Sequence, residues 1–416
     1  MDRQSAMMTR RSMLRIVALG ASAALASACA PAAAPAPPTA APAAPTAAAA
    51  KPTGAPAAPA ATSAPVAAKP PTTAQFSDAD WNALVAGARQ EGKFAIATYA
   101  GAGYRKVVDA FQEAFPGIAV EQTQFQSSSR DFTPRLLQEM KAGIKSWDVW
   151  IMPAQEQLRQ SRPAGLVDPI RPLIVRPDVL ADDGWIDGFE AGFPDVDKKW
   201  NYGITLAKSQ TLWVNTDLVK DGEISKIADL LDPKWKGKIV AADPRTRGSG
   251  FSPTLVIRLT THSDDFVKQF FKDQEVTLTT DARQPTEAIA RGRYALAFGA
   301  VDRHIIQDLR EQGLGNNVKP LPLNDLDSVS HSFNCMHLCK DAAHPNAAKL
   351  FINWALTKDA GVLWSQSLED NSRRADVPVI DPQTEVKRGE KFINVQHEEY
   401  LDETEKTQEL ARQVLN

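Results

Sequence analysis

Cysteine is scarce in this chain: Cys29, Cys335 and Cys339 are the only three among 416 residues. That excludes a disulfide framework. No apolar run reaches the ~20 residues that a membrane-spanning helix needs, and no basic block is interleaved with aromatics, which argues against nucleic acid as a partner. From Phe76 to Asn416, 49 Asp and Glu oppose 41 Lys and Arg, because only Asp2 and six basic residues precede Phe76. The six histidines show no HExxH spacing, and neither a GxSxG elbow, a P-loop nor a GxGxxG fingerprint occurs. Tyrosine is sparse too: Tyr99, Tyr104, Tyr202, Tyr294 and Tyr400, none next to another.

What is present divides into three parts. Thr9 to Arg15 carry the pair Arg10-Arg11, and an apolar stretch from Ile16 to Ala28 leads to Cys29. This reads as a signal peptide over residues 1–29. The arginine pair resembles a twin-arginine export motif, and Ala26-Ser27-Ala28-Cys29 resembles a lipobox in which Cys29 is acylated. Ala26 departs from that pattern, where Leu or Val is usual; simple cleavage after an Ala-x-Ala-like site is the alternative. Residues 30–75 are nearly all Ala, Pro and Thr, with Lys51 and Lys69 the only charges. Such a segment has nothing to bury, so it is expected to be a disordered, extended linker between membrane and domain, a mucin-like stalk being the competing reading. The remaining length suffices for two sizeable cores.

That remainder opens with Ser77 and Asp80 in capping-box spacing, then Trp81, Leu84, Val85 and Ala88 on one helical face before Gly92. The pattern predicts a strand over Lys93–Tyr99, a helix from Tyr104 to Phe115, a strand Ile118–Phe125, a helix from Phe132 to Met140 and a strand Trp147–Met152. This alternation is the signature of a parallel α/β sheet. A second block predicts strands at Thr211–Asn215, Lys238–Ala242, Val276–Thr279 and Tyr294–Gly299. A return follows through Val318–Leu323, a strand Ser332–Cys339 and a helix His344–Leu356. Two such blocks with a return segment imply two lobes, joined by crossing strands near Ile204–Ser209 and Lys319–Leu323, with a cleft between them.

Several strings carry a resemblance. Leu212-Trp213-Val214-Asn215-Thr216-Asp217-Leu218-Val219, Ala228-Asp229-Leu230-Leu231-Asp232-Pro233-Lys234-Trp235-Lys236-Gly237-Lys238, Ala242-Asp243-Pro244 and Gly248-Ser249-Gly250 resemble the ferric-iron-type branch of extracellular solute-binding proteins of ABC importers. Glu91-Gly92-Lys93 and Ala347 to Trp354 are similar to the same family, so the likeness spans roughly residues 80–375. It implies an α/β, two-lobed periplasmic-binding-protein type II fold, each lobe a mixed sheet flanked by helices. Lobe 1 is expected over 76–207 and 321–416, and lobe 2 over 208–320. It further implies a monomeric, lipid-tethered extracytoplasmic receptor that hands a small-molecule solute to a membrane permease, with neither catalysis nor cofactor. Iron-holding members resemble one another in a pair of adjacent tyrosines, and that pair is missing here.

The chemistry of the cleft is read from loops that follow strands. Arg245, Thr246, Arg247, Gly248, Ser249 and Gly250 lie between a strand and an apolar helix, combining accessible amides, a helix start and fixed positive charge suited to an anion. On the motif alone a capped surface turn fits equally; the resemblance favours the anion cradle, for a phosphonate, phosphate ester, carboxylate or metal–anion complex. Ser127, Ser128, Ser129 and Arg130 hold a comparable position, though three serines at a helix start also read as a cap. Arg283, Asp302 with Arg303, and Tyr99 are further candidates, each with a bland reading as solvated charge or core. Cys335, His337 and Cys339 suggest zinc only weakly, since no second Cys/His cluster exists. An exported lyase or transferase with Cys335 or a carboxylate as nucleophile, and a solute-sensing receptor, are the alternative functions.

Overall fold

The computed structural model describes residues 76–126, 131–246, 251–281, 283–325, 329–330 and 334–416. The segments holding Cys29, Ser127, Ser128, Ser129, Arg130, Arg247, Gly248, Ser249 and Gly250 lie outside the described residues.

The first helix, α1, runs Asp78–Glu91; Ser77 and Asp80 form the reciprocal capping box, and Gly92 closes it at φ 70°. Then come β1 (Lys93–Tyr99), α2 (Ala102–Ala114), β2 (Ala119–Phe125), α3 (Thr133–Lys141) and β3 (Val149–Met152). β1 pairs in parallel with both β2 and β3, as alternating strands and helices require. The short β4 (Val167–Asp168) and β5 (Asn201–Gly203) follow. The returning strand, Cys335–Cys339, lies antiparallel to β3, β4 and β5 and completes a mixed sheet. Its core gathers Phe94, Phe111, Trp185, Tyr202, Phe351 and Trp364.

The second sheet is built from β6 (Leu212–Asn215), β7 (Ile239–Ala242), β8 (Thr277–Thr279), β9 (Leu296–Phe298) and β10 (Val318–Pro320), in the order β10-β6-β9-β7-β8. α4 (Phe251–Thr261), α5 (Arg283–Ala290) and α6 (Arg303–Glu311) belong to this part of the chain. Separate apolar clusters hold Leu212 with Ile239 and Phe298, and Trp213 with Val240 and Ile306. Neighbouring residues of one strand thus supply opposite faces. β11 (Val329–Ser330) and β13 (Ile393–Asn394) pair in parallel away from both sheets, and the returning strand is β12.

The chain leaves the first sheet through 204–211, and after β10 it returns to that sheet as β12. A third passage follows α7 (Pro345–Ala355) and α8 (Lys358–Leu368). It lies along the first: Leu206 N–H donates to Asn371 O at 2.9 Å and Lys208 N–H to Thr384 O at 2.8 Å. The last helix, α9 (Leu401–Leu415), makes contacts with both cores. Its Leu410 and Leu415 pack on the second core. Its other end is held by the first lobe, where Gln155 Nε2 donates to Thr404 Oγ1 at 3.2 Å and Arg162 Nη1 to Glu398 at 3.0 Å. Apolar residues at one face of a late amphipathic helix go wherever an apolar surface awaits, regardless of chain order.

Candidate functional site

A cavity of about 440 Å³ opens between the two sheets. Its wall takes Tyr104, Asn334, Leu368 and Asp370 from the first lobe and Trp213, Val301, Asp302 and Arg303 from the second. Ala207, Lys208, Ser209 and Gln210 of the first passage, with Thr384, form the rest. A wall drawn from both lobes is the arrangement in which an occupant bears on their relative position.

Local structure explains how each group arrives there. Gly299, at φ 62°, turns the chain out of β9, in a conformation open to glycine. Asp302 then caps α6, its carboxylate accepting from Ile305 N–H at 3.1 Å. Tyr104 sits in the first turn of α2, one residue after Gly103, whose backbone meets α8 closely: a Cβ there would lie 2.1 Å from Ser367 O. The Tyr104 hydroxyl donates to Asn334 Oδ1 at 2.5 Å, and Asn334 Nδ2 donates to Thr205 Oγ1 at 3.1 Å. Trp213 Nε1 donates to Gln210 O at 2.9 Å, fixing the indole against the cavity.

The two cations on the wall are both engaged. Lys208 is ion-paired with Glu390. Arg303 reaches Asp381 at 3.3 Å and also donates to Glu369 O. Asp370 accepts from Asn371 N–H at 3.0 Å. Burial holds its carboxyl above the usual range, with Arg303 acting in the opposite sense. Burial likewise pushes the Tyr104 phenol up, reinforced by Tyr99 and Asp370. Tyr104 is therefore a neutral hydrogen-bonding group at ordinary pH.

A model for the family described as bacterial extracellular solute-binding protein matches residues 106–370. The chain belongs to this family. This solute-binding protein is similar in fold to a Trichodesmium protein, FutA, solved with iron and citrate (TM-score 0.60, 17% identity, 78% of this chain and 99% of that one). Iron-bound HitA from Pseudomonas aeruginosa has TM-score 0.58 and 16% identity, covering 78% and 99%. AfuA from Actinobacillus pleuropneumoniae, with fructose-6-phosphate bound, has TM-score 0.54 and 18% identity, covering 76% and 97%. These likenesses show the periplasmic-binding-protein type II fold. An uncharacterized Haemophilus influenzae protein is 28% identical over 162 residues, 37% of this chain, and the match spans less than half of that relative, 44%.

Of the candidates named from sequence, Asp302 and Arg303 lie on the cavity wall of the solute-binding protein. Tyr99 instead packs beside the aromatic cluster of Phe125, Phe132 and Trp147. Arg245 is turned onto Asp243 at 2.7 Å and onto Leu415 O at 3.1 Å, and the Thr246 hydroxyl donates to Asp243 O at 2.9 Å. Arg283 is 66% exposed and pairs with Glu287 one turn along α5. The cavity does not bring these four together. Tyr202 is fully buried, and its hydroxyl donates to Phe189 O at 3.0 Å.

Cys335, His337 and Cys339 are core residues. The Cys335 thiol is pushed up to about 12 by burial, and the His337 ring stacks on Trp150 with its centroid 5.3 Å away. No group of three or more His, Cys, Asp or Glu suited to a metal occurs among the described residues. Sequence reasoning missed Tyr104, Asn334, Asp370 and Thr384. Tyr104 reads as the first residue of a predicted helix, and Asp370, in Glu369-Asp370-Asn371, reads as solvated charge.

Proposed function

We propose that this protein is the solute-capturing component of an ABC importer, exported and held outside the cytoplasm by lipid on Cys29, working as a monomer that delivers its cargo to a membrane permease. The observation that carries this reading is the cavity walled by both lobes and by the passage between them. An occupant touching both lobes stabilises the closed arrangement selectively, and closure is what a permease can sense.

We propose further that the solute is small and hydrophilic with an anionic group: a phosphonate, a phosphate ester or a carboxylate. Lys208 and Arg303 supply positive charge on the wall, and Ser209, Gln210, Asn334 and Thr384 supply neutral hydrogen-bonding groups. The Arg245-to-Gly250 loop is the proposed cradle for the anionic end, through Arg247 and Ser249. The pair of adjacent tyrosines expected of a ferric site is missing from the sequence.

The test is thermal unfolding against phosphonates, phosphate esters, carboxylates, sugars, polyamines and ferric salts. A ligand at a hundred times its dissociation constant adds about 2.7 kcal/mol, a shift of a few degrees. The Arg247→Ala, Ser249→Ala double variant should weaken binding of the responding anion tenfold or more, as loss of a charge-assisted hydrogen bond implies. A response confined to sugars, polyamines or ferric salts would overturn the anionic assignment, and unchanged affinity in the double variant would remove the loop from the site.

A further inference from the structure

A second cavity, of about 620 Å³, meets the Lys208–Gln210 segment and has its own wall from Leu212, Arg310 and Lys319 to Leu323. That segment lines both spaces. Leu212 and Trp213, successive on β6, divide accordingly: Trp213 faces the cleft, and Leu212 faces this cavity. Its volume is within the range of small-molecule sites.

The composition of its wall is unlike that of the cleft. Leu212, Leu321 and Pro322 make an apolar side, whereas Lys208, Arg310 and Lys319 supply three cations, and no Asp or Glu is on the wall among the described residues. The cleft wall, in contrast, sets Asp302 and Asp370 against Lys208 and Arg303. Lys208 has its partner Glu390. The Arg310 guanidinium donates to Val318 O at 2.7 Å and to Gly315 O at 3.5 Å, both neutral carbonyls. Those contacts fix the guanidinium at the cavity without cancelling its charge. Lys319 is exposed and makes no ion pair among the described residues.

We infer that this cavity is a second ligand site, separate from the solute cleft, for an amphiphilic organic anion: an acidic head group on a compact apolar body. The head group is placed between Arg310 and Lys319, and the body lies along Leu212, Leu321 and Pro322. Charge complementarity decides the sign of the ligand, and the apolar side decides against an inorganic ion, which would leave that surface wet. An occupant would touch two passages at once through Lys208–Leu212 and Pro320–Leu323, and Gln383 of the third.

The test is fluorescence titration of the full chain with 1-anilinonaphthalene-8-sulfonate, alongside its uncharged analogue N-phenyl-1-naphthylamine. The expected result is saturable one-to-one binding of the sulfonate, displaced by decanoate, with the uncharged analogue at least tenfold weaker. Lys319→Glu should weaken the sulfonate tenfold or more, and Arg303→Gln, on the cleft wall, should leave it unchanged. Arg310→Gln should match Lys319→Glu; because Arg310 also clamps the turn before β10, the exposed Lys319 carries the test if that variant fails to fold. Unsaturable binding, equal binding of the uncharged analogue, or unchanged affinity in Lys319→Glu would overturn the proposal. Loss in Arg303→Gln alone would move the probe into the cleft and overturn it equally.

Discussion

Gly103→Ala is a small change in composition with a calculable consequence. In the first turn of α2, alanine is intrinsically favoured over glycine by up to about 1 kcal/mol. Against this, the new Cβ would stand 2.1 Å from Ser367 O, 2.8 Å from Ser367 C and 3.0 Å from Leu368 Cδ2. An ordinary carbon contact begins near 3.5 Å, so α2 and α8 must separate by about 1 Å, and the obstacle is backbone, which cannot rotate aside. Overpacking of this kind costs about 1–3 kcal/mol, or a fall in Tm of about 2–6 °C in a domain of this size. The displacement also carries Tyr104 away from Asn334, so solute affinity should fall together with stability. Thermal unfolding by circular dichroism checks the first effect and calorimetric titration the second. Gly143→Ala is the control: its φ of 72° is strained for alanine, but nothing lies within 4 Å of the added Cβ. A Gly103→Ala protein at or above the parent Tm would refute the reasoning.

Other outcomes follow from the buried groups. Burial lowers His337 to about 3, so the unfolded chain takes up a proton below its ordinary 6.5 while the native chain does not. Stability is complete above pH 6.5 and is lost on acidification at up to about 1.4 kcal/mol per pH unit. Burial lowers His397 in the same direction, and the raised carboxyls of Asp195 and Asp370 offset part of the loss. His337→Phe should therefore flatten the dependence of Tm on pH between 7 and 5, and an identical slope in the variant would count against the assignment. Tyr202→Phe should cost about 1 kcal/mol for the hydrogen bond to Phe189 O and leave solute affinity alone; a collapse of affinity would show that Tyr202 takes part in binding. Asp370→Asn removes a negative charge from the cleft wall, so an anionic solute should bind several-fold more tightly, measured by titration, and weaker binding would indicate a cationic group on the solute.

Much of the fold was legible because local and tertiary preferences agreed. Lys93–Tyr99 forms a strand with the bounds its pattern predicted, since a run buried on both faces has one solution beside parallel neighbours. Ser77 and Asp80 fixed the start of α1 through a motif that needs no tertiary context. The short β4 and β5 were not legible: two or three residues carry no period, and they are strands only because β12 runs beside them. The site was less legible than the sheets. Asp302 follows a strand and obeys the loop rule, but Asn334, Asp370 and Thr384 reach the cavity through the passages between lobes, whose positions depend on pairing across more than a hundred residues.

The placement of α9 makes it a strut. Glu398 and Thr404 near its start are fastened to one lobe, while Leu410 and Leu415 are fastened to the other. A 15-residue helix is a stiff rod about 22 Å long, so it cannot stretch as the lobes part. Glu403 in its first turn is ion-paired with Arg258 of α4, so the helix stays with the second lobe, and the first-lobe contacts of Glu398 and Thr404 are the ones that must break if the lobes part. A label at Glu405 would therefore sit beside the contacts that break on opening, and a tag joined at Asn416 would sit at the end that stays packed.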